Sequence, residues 1–154
     1  MGYYLQALIG KTDVLSIRPK SYPSEHRVQL DHGLTMIPMI DQLMEEIDSE
    51  LQEAENTIPK GFSALSGGLI EWAKQLSEAA PVAYIEAEYF GGVGVQSTLV
   101  WNRGEVVLGP LSGDTSPINQ ALRFLGVQAI ESKDEFDSVG LGRHRNTDDW
   151  ILEF

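Results

Sequence analysis

Three strand-like runs separated by tight turns lie between Val82 and Pro110, and they constrain the fold more than any other part of the chain. The runs are "VAYIEAEYF", "VQSTLVW" and "EVVLGP", all rich in β-branched and aromatic residues. Glycine-containing turns, "GGVG" and "NRG", separate them. Because turns this short join antiparallel neighbours, the segment predicts a meander of three adjacent antiparallel strands.

An amphipathic helix is predicted over residues 41–57. From Ile40 onward, apolar residues recur at spacings of three and four, which places them on one face of a helix; they are Leu43, Met44, Ile47, Leu51, Ala54 and Ile58. This is the clearest helical pattern in the sequence.

Two further helices flank the meander. Residues 63–80 contain leucines and Trp72 at helical spacing, and Pro81 ends that element. The third helix is predicted to start with Ser116 as N-cap and Pro117 at the first helical position, and to end at Gly126.

The remaining segments complete a single domain over 1–154. A first strand is predicted at 2–10, a short strand at 26–30, and an edge strand or a helix approach at 33–40, where Pro38 denies a ladder hydrogen bond. The end of the chain, from 132 onward, is interpreted as mostly loop. Since helices followed by a meander do not give βαβ alternation, we expect an α+β fold, with an antiparallel sheet of about 4–5 strands and about three helices packed mainly on one face.

The composition excludes several classes of function. The formal net charge of −12 repels nucleic acid and anionic membranes and favours a basic protein partner. With no cysteine, a disulfide, a thiolate zinc site and a cysteine nucleophile are excluded. The chain has no apolar run long enough for a membrane span and no signal-like start, so a cytoplasmic location is expected, with no cofactor.

The polar face of the 41–57 helix is acidic, with no lysine or arginine between positions 41 and 58. Like charges at helical spacing repel one another and find no compensating base there. This face is either an ordinary solvated surface or an electrostatic docking surface. The candidate partner-binding residues on it are Glu45, Glu46, Asp48, Glu50 and Glu53.

The stretch "EAEYFGGVGVQ" raises a second candidate site at Glu86 and Glu88. Its glycines lack the spacing of a dinucleotide loop, and strand-like residues follow them, so a sheet corner is predicted instead. The two glutamates, two apart on a strand, project from the same face. That geometry suits an exposed polar face or a contact to a basic partner better than a catalytic pair or a metal site.

A basic cluster near the end of the chain is formed by Arg143, His144 and Arg145, followed by Asp148. Guanidinium groups bind carboxylates bidentately, so this segment is predicted to clamp onto Glu86 or Glu88 and fix the C-terminal tail. An anion-binding pocket is the alternative. The histidines show no metal-ligand spacing, so no metal site is expected.

Several segments together resemble small, uncharacterised bacterial proteins similar to the immunity proteins of polymorphic or contact-dependent toxin systems. The segments include "AEYFGGVGVQ", "INQALRFLGV", "DEFDSVGLGRHR" and "TDDW". This resemblance implies a binding role and brings no catalytic residue with it.

The expected function is an acidic protein-binding module, in the form of an immunity protein that neutralises a basic toxin by direct binding. One alternative is a small enzyme acting on an anionic substrate through a cleft formed by Glu86, Glu88, Arg143 and His144. Another is an interaction domain with no toxin involved, which could form a homodimer through an exposed sheet edge.

Overall fold

The fold is built on one six-stranded sheet in which every pair of neighbouring strands is antiparallel. The computed structural model describes residues 2–52, 54, 56–91, 93–114, 116–130 and 132–152. The strand order is β2-β3-β1-β4-β5-β6. The strands are β1 (Tyr3–Lys11), β2 (Val28–Gln29), β3 (Leu34–Pro38), β4 (Val82–Phe90), β5 (Val93–Asn102) and β6 (Glu105–Gly113).

Helices connect and cover these strands. The α-helices are α1 (Thr12–Leu15), α2 (Asp41–Glu50), α3 (Gly67–Leu76), α4 (Pro117–Phe124) and α5 (Glu135–Val139). Two 3₁₀ helices, Leu141–Arg143 and Thr147–Leu152, follow near the end of the chain. The α+β class and the antiparallel meander β4-β5-β6 predicted from the sequence are confirmed.

Each face of the sheet carries its own hydrophobic core. On one face, here called the α2/α3 face, Leu8 and Tyr84 pack with the buried residues of α2 and α3. On the other, the α4/α5 face, Ala7 and Ile85 pack with α4, α5 and Trp150. The sheet is therefore a central layer between two layers of helices.

Two features of the expected architecture are corrected by this arrangement. The sheet has six strands, more than the 4–5 expected, and the helices are divided between both faces instead of lying mainly on one. The reason is visible in β4, where all six residues from Val82 to Ala87 are buried. When a strand is buried on both sides, its sequence lacks the regular alternation of apolar and polar residues that indicates a single buried face.

Helix α2 ends at Glu50, earlier than the predicted end at 57. Its last turn holds no basic residue, while Glu50 adds negative charge there. Because the C-terminal end of a helix carries a partial negative charge, acids in this position oppose elongation. The approach to α2 agrees with the sequence, since β3 ends at Pro38 and the helix begins at Asp41.

Helix α4 begins with Pro117 as predicted, but its first turn is capped from another part of the chain. Ser116 occupies the N-cap position and makes no side-chain capping bond. The buried Gln96 of β5 accepts a hydrogen bond from Ile118 N instead, at 3.0 Å. The helix ends at Phe124, close to Gly126, whose φ of +99° fits the predicted stop.

The turn between β4 and β5 is the sheet corner predicted for the glycine-rich stretch. Phe90 pairs with Val93 across the turn, and Gly91 has a φ of +62°, which favours glycine. Gly92 lies outside the described residues. The turn leads directly into a strand and not into a helix, so it lacks the geometry of a phosphate-binding loop.

The segment after 132, predicted as mostly loop, contains short helices. Asp134 caps α5 by accepting a hydrogen bond from Asp137 N at 2.9 Å, and Gly140 ends the helix in the left-handed conformation. Five residues are too few for a helical hydrophobic period to show in the sequence. The N-cap aspartate and the glycine at the C-cap were the available signals.

Candidate functional site: the acidic groove beside helix α2

The outer face of α2 presents two of the predicted partner-binding acids to solvent. Leu43 and Ile47 are buried against the α2/α3 core, which turns Glu45 and Glu50 outward, where both are exposed. Glu46 and Asp48 are only half-exposed. Glu53 lies outside the described residues.

A shallow, open groove of about 500 Å³ lies between α2 and the loop at 21–23, which precedes β2. Ser21, Tyr22 and Pro23 form one wall of this α2 groove. The other wall is the polar face of the helix, with Gln42, Glu45, Glu46, Ser49 and Glu50. The groove therefore places an aromatic ring beside several carboxylates.

The ring of Tyr22 is held in place by Trp72 of α3, with the ring centroids 5.2 Å apart and the planes nearly perpendicular. Burial, together with the negative charges of Glu50 and Glu25, raises the pKa of Tyr22 to about 12. Of these two glutamates, Glu50 lines the groove, whereas Glu25 is buried within the loop and paired with Arg27.

This pKa shift predicts a loss of stability at alkaline pH. An unfolded tyrosine ionises near pH ~10, so the neutral ring favours the folded state fully below that pH. Stability should fall as the pH rises from about 10 towards about 12, where the folded Tyr22 ionises. We expect Tyr22→Phe to lose less stability than the wild type in this window, measured by urea denaturation at about pH 9 and about pH 11. Equal losses in the two proteins would contradict the assignment.

The loop wall of the groove is braced from within the protein. Glu46 accepts hydrogen bonds from Ser24 N at 2.9 Å and from Ser24 Oγ at 2.6 Å. Arg27 pairs with Glu25 at 2.7 Å and also donates to the backbone oxygens of Leu15 and Arg18. Because these contacts fix the loop against α2, the groove is preformed in the free protein.

Asp48 has a structural role as well. It accepts a hydrogen bond from Ser66 Oγ at 2.6 Å, and Ser66 in turn caps α3 by accepting from Leu69 N at 3.1 Å. Of the predicted α2 acids, Glu46 and Asp48 are thus engaged in internal hydrogen bonds, which leaves Glu45 and Glu50 as the exposed pair. Among the described acids of α2, the predicted docking surface is therefore reduced to Glu45 and Glu50.

No arginine or lysine neutralises these acids within the described part of the chain. The ion pairs there are Arg27 with Glu25 and Arg123 with Glu135, and neither includes a residue of α2. The internal partners of Glu46 and Asp48 are serines and a backbone N–H, which carry no net charge. The negative potential of the groove is therefore not cancelled by internal ion pairing.

Glu86 and Glu88 project from the same face of β4 but have different environments. Glu86 is buried on the α2/α3 face and accepts hydrogen bonds from Ser63 N (2.8 Å), Ser63 Oγ (3.2 Å), Ala64 N (2.9 Å) and the Tyr84 hydroxyl (2.7 Å). Glu88 is exposed. The interpretation as an exposed polar face is wrong for Glu86, because the 61–64 loop folds over it.

A smaller cavity of about 200 Å³ lies over these glutamates, with Gln6 and Phe62 among its lining residues. Gln6 also lines a neighbouring cavity of about 260 Å³ that includes Asp41 and Asp148. The α2/α3 face therefore has a second acidic region near the start of β1.

The basic cluster is not joined to the glutamates. Arg143 donates to Gln29 O at 2.8 Å and lies over the ring of Trp150, 5.2 Å from its centroid. No ion pair between described residues links Arg143 or Arg145 to Glu86 or Glu88. The predicted clamp onto those glutamates is wrong. Glu86 is already saturated by uncharged donors. Arg143 packs on Trp150 of the α4/α5 core, whereas Glu88 projects from the opposite face of the sheet.

The segment nevertheless fixes the C-terminal tail by other contacts. Tyr4 N donates to Arg145 O at 2.7 Å, and Tyr4 and Asn146 form an isolated parallel β-bridge. Thr147 is buried, and its hydroxyl lies 3.2 Å from the Gln6 side-chain oxygen. The tail is anchored along β1 and not on β4.

The enzymatic cleft considered above is not assembled. His144 packs edge-on against Trp150 with ring centroids 4.7 Å apart, and Trp150 belongs to the core of the α4/α5 face. Glu86 faces the opposite core, beside Tyr84. Asp148 is exposed and lines the cavity beside Gln6, apart from the contacts of Arg143.

Sequence reasoning missed the loop side of the α2 groove. Tyr22, Pro23 and Ser24 fall in a segment without periodicity, and the contacts that place this segment against the helices lie 22 or more residues further along the chain, as in the bond from Ser24 to Glu46. An aromatic residue next to a proline in a polar loop was the only available signal.

The described residues contain no group of three or more acidic or histidine side chains suited to hold a metal ion. Within the same ranges, none of the helices combines the length and the apolar character that crossing a membrane requires.

Comparison with known proteins found no matching family model, no matching curated protein and no matching solved structure.

Proposed function

We propose that this protein is a cytoplasmic binding module that docks a basic protein in the α2 groove. The observation that carries the proposal is the pair of exposed carboxylates, Glu45 and Glu50, beside a preformed groove in which no described lysine or arginine pairs with them. The net charge of −12 extends the same potential over the molecule.

Charge complementarity of this kind acts mainly on association rate and partner choice. A negative field steers a cationic partner and repels nucleic acid and anionic lipid. Affinity then depends on a few well-packed anchors, often aromatic. Tyr22 is only 6% exposed and packs on Trp72, so it makes the wall of the groove rigid, and the anchors would come from the partner.

The specific form we propose is an immunity protein that neutralises a cognate basic toxin by covering it. This form rests on the resemblance of the sequence to such proteins and on the acidic groove. A homodimer stays a separate prediction, for which the candidate is β6, one of the two edge strands, with Val106 and Val107 exposed.

The test compares two charge-reversed variants of the protein as baits. The first is Glu45→Lys/Glu50→Lys in the groove, and the control is Glu78→Lys/Glu105→Lys, which alters two exposed acids elsewhere by the same total charge. Proteins captured from a lysate of the source cells are identified by mass spectrometry, expressed, and measured against each bait by calorimetry. We expect the groove variant to weaken binding of the basic partner about 10–100-fold and the control by less than about threefold.

Salt dependence gives a second readout. Binding to the wild type should weaken steeply as the ionic strength rises, mainly through a slower association rate, and the groove variant should show a flatter response. Equal losses in the groove and control variants would show that only total charge matters and would overturn the proposed docking surface. A partner that binds the groove variant as tightly as the wild type would do the same.

A further inference from the structure

A second cavity, on the opposite face of the sheet from the α2 groove, is lined mainly by aromatic rings. It has a volume of about 300 Å³ and lies on the α4/α5 face, near the turn between β4 and β5. Its lining residues are Tyr3, Tyr89, Gln96, Asp134 and Phe136. Three aromatic rings and one carboxylate therefore face a single small space.

The three aromatic residues of this aromatic cavity are held in place without any ligand. The Tyr3 hydroxyl donates to Leu141 O at 2.8 Å, and the Tyr89 hydroxyl donates to Asp114 O. Phe136 N donates to the side-chain oxygen of Asn119 at 2.8 Å. Because folding has already ordered them, binding does not have to order them again.

The rings of Tyr3 and Phe136 contact one another, so a small group in this cavity would lie against the aromatic rings and not between these two. Tyr3 and Tyr89 are directly opposite one another on β1 and β4. The rings of Tyr3 and Phe136 are 5.5 Å apart and tilted by 59°, so their faces are inclined and not stacked. A cation within about 6 Å of an aromatic face is attracted by the ring quadrupole.

The carboxylate of Asp134 is oriented by the chain. One oxygen accepts from Asp137 N at 2.9 Å and the other from the Asn119 amide at 3.1 Å. Neither ion pair of the described residues includes it. Asp134 thus supplies a fixed negative charge at the exposed side of the cavity.

We propose that the aromatic cavity binds a methylated ammonium group. The rings and the carboxylate both favour a cation over a neutral ligand. An unmethylated ammonium carries three N–H donors that require acceptors, whereas both Asp134 oxygens and the Gln96 amide oxygen each already accept a hydrogen bond from within the protein. A methylated ammonium needs no such acceptors and suits an aromatic lining.

The size of the cavity agrees with this class of ligand. Pockets for drug-sized molecules span roughly 300–1,000 Å³, and this cavity lies at the lower limit. It therefore accommodates a headgroup or one side chain and not a larger cofactor. The chemistry has two sources, a free compound such as choline or a trimethyllysine side chain on a basic peptide.

The primary experiment is an NMR titration of the ¹⁵N-labelled full chain with choline and with 3,3-dimethylbutanol, its neutral isostere. We expect choline to bind at least about tenfold more tightly, with shifts centred on Tyr3, Tyr89 and Phe136. Equal affinity for the two compounds would identify a merely apolar cavity and overturn the proposal. Choline shifts confined to the α2 groove would also overturn it.

Variants separate the aromatic faces from other contributions. Tyr89→Leu should weaken choline binding about tenfold, while Tyr89→Phe, which keeps the ring, should stay within about threefold of the wild type. Asp134→Asn should weaken choline binding but leave the isostere unchanged, and it decides the matter if the leucine variant does not fold. A Tyr89→Leu protein that is folded and binds choline normally would refute the role of the rings.

A second set of measurements distinguishes the two sources and keeps this site separate from the proposed docking function. If the natural ligand is a side chain, a short basic peptide with trimethyllysine should bind more tightly than choline. If it is a free compound, the peptide should bind equally or less tightly. In both cases the chemical-shift changes must again be centred on Tyr3, Tyr89 and Phe136. Glu45→Lys/Glu50→Lys should leave choline binding unchanged. If that variant abolishes the choline shifts at the rings, binding reflects general charge and the proposal fails.

Discussion

Glu86→Ala is expected to lower the free energy of unfolding by about 3–5 kcal/mol. The substitution removes a buried carboxylate that accepts hydrogen bonds from Ser63, Ala64 and the Tyr84 hydroxyl. Tyr84 is fully buried, so its hydroxyl loses its partner in a place that water cannot easily reach. The 61–64 loop also loses the contact that ties it to β4.

Glu88→Ala provides the matched control for this prediction. It removes the same side chain from the same face of the same strand, but Glu88 is exposed, so we expect a change within about 0.5 kcal/mol. Urea denaturation followed by tryptophan fluorescence measures both. Similar effects for the two variants would mean that the hydrogen bonds of Glu86 contribute no net stability.

A third variant tests whether the carboxylate itself is required. In Glu86→Gln the shape is kept, but one oxygen becomes an amide NH₂ that faces either Ser63 or the pair of donors from Ala64 and Tyr84. Donors would then oppose donors, and we expect a loss of about 1–3 kcal/mol, intermediate between the other two variants. A fully wild-type stability for this variant would show that the donors rearrange without penalty.

The difference between Glu86 and Glu88 explains why sequence could predict the strand but not the environment of its acids. Strand β4 follows from β-branched and aromatic residues and from the turn at Gly91, both local features. The burial of Glu86 depends on Ser63, which is 23 residues away in sequence. Alternating acids in a strand suggest that one side of the strand faces solvent. The sequence of the strand itself does not show that a distant loop folds over one end of that side.

The two walls of the α2 groove likewise differ in how far the sequence could predict them. The exposed acids Glu45 and Glu50 followed from helical periodicity, since the buried positions Leu43 and Ile47 fix the opposite face. The second wall of the groove, around Tyr22, is an irregular loop whose position depends on long-range hydrogen bonds. The aromatic cavity was likewise invisible, because Tyr3 and Phe136 are brought together from the two ends of the chain.

Trp150→Ala is expected to lower the free energy of unfolding by about 3–5 kcal/mol. Trp150 is fully buried in the core of the α4/α5 face, although it lies only four residues from the end of the sequence. Its truncation would leave a cavity beneath Arg143 and His144, which pack on the ring from outside. The tail along β1 would lose its main apolar anchor.

Comparing the stability of Trp150→Ala with that of Arg143→Ala shows whether apolar packing or the basic side chain contributes more to holding the tail. Arg143 is exposed and contributes a contact to the Trp150 ring and a hydrogen bond to Gln29 O, so its removal should lower stability by only about 0.5–1.5 kcal/mol. Chemical denaturation of both variants, with hydrogen exchange at the amide of Tyr4 as a local probe, measures the difference. If Arg143→Ala were the more damaging change, ionic and polar contacts would dominate, and the tail would be held by its basic cluster after all. A larger effect at Trp150 would instead mean that the burial of one aromatic side chain holds the tail on this face of the sheet. The contribution of Arg143 is expected to be small because solvent weakens the interactions of an exposed guanidinium.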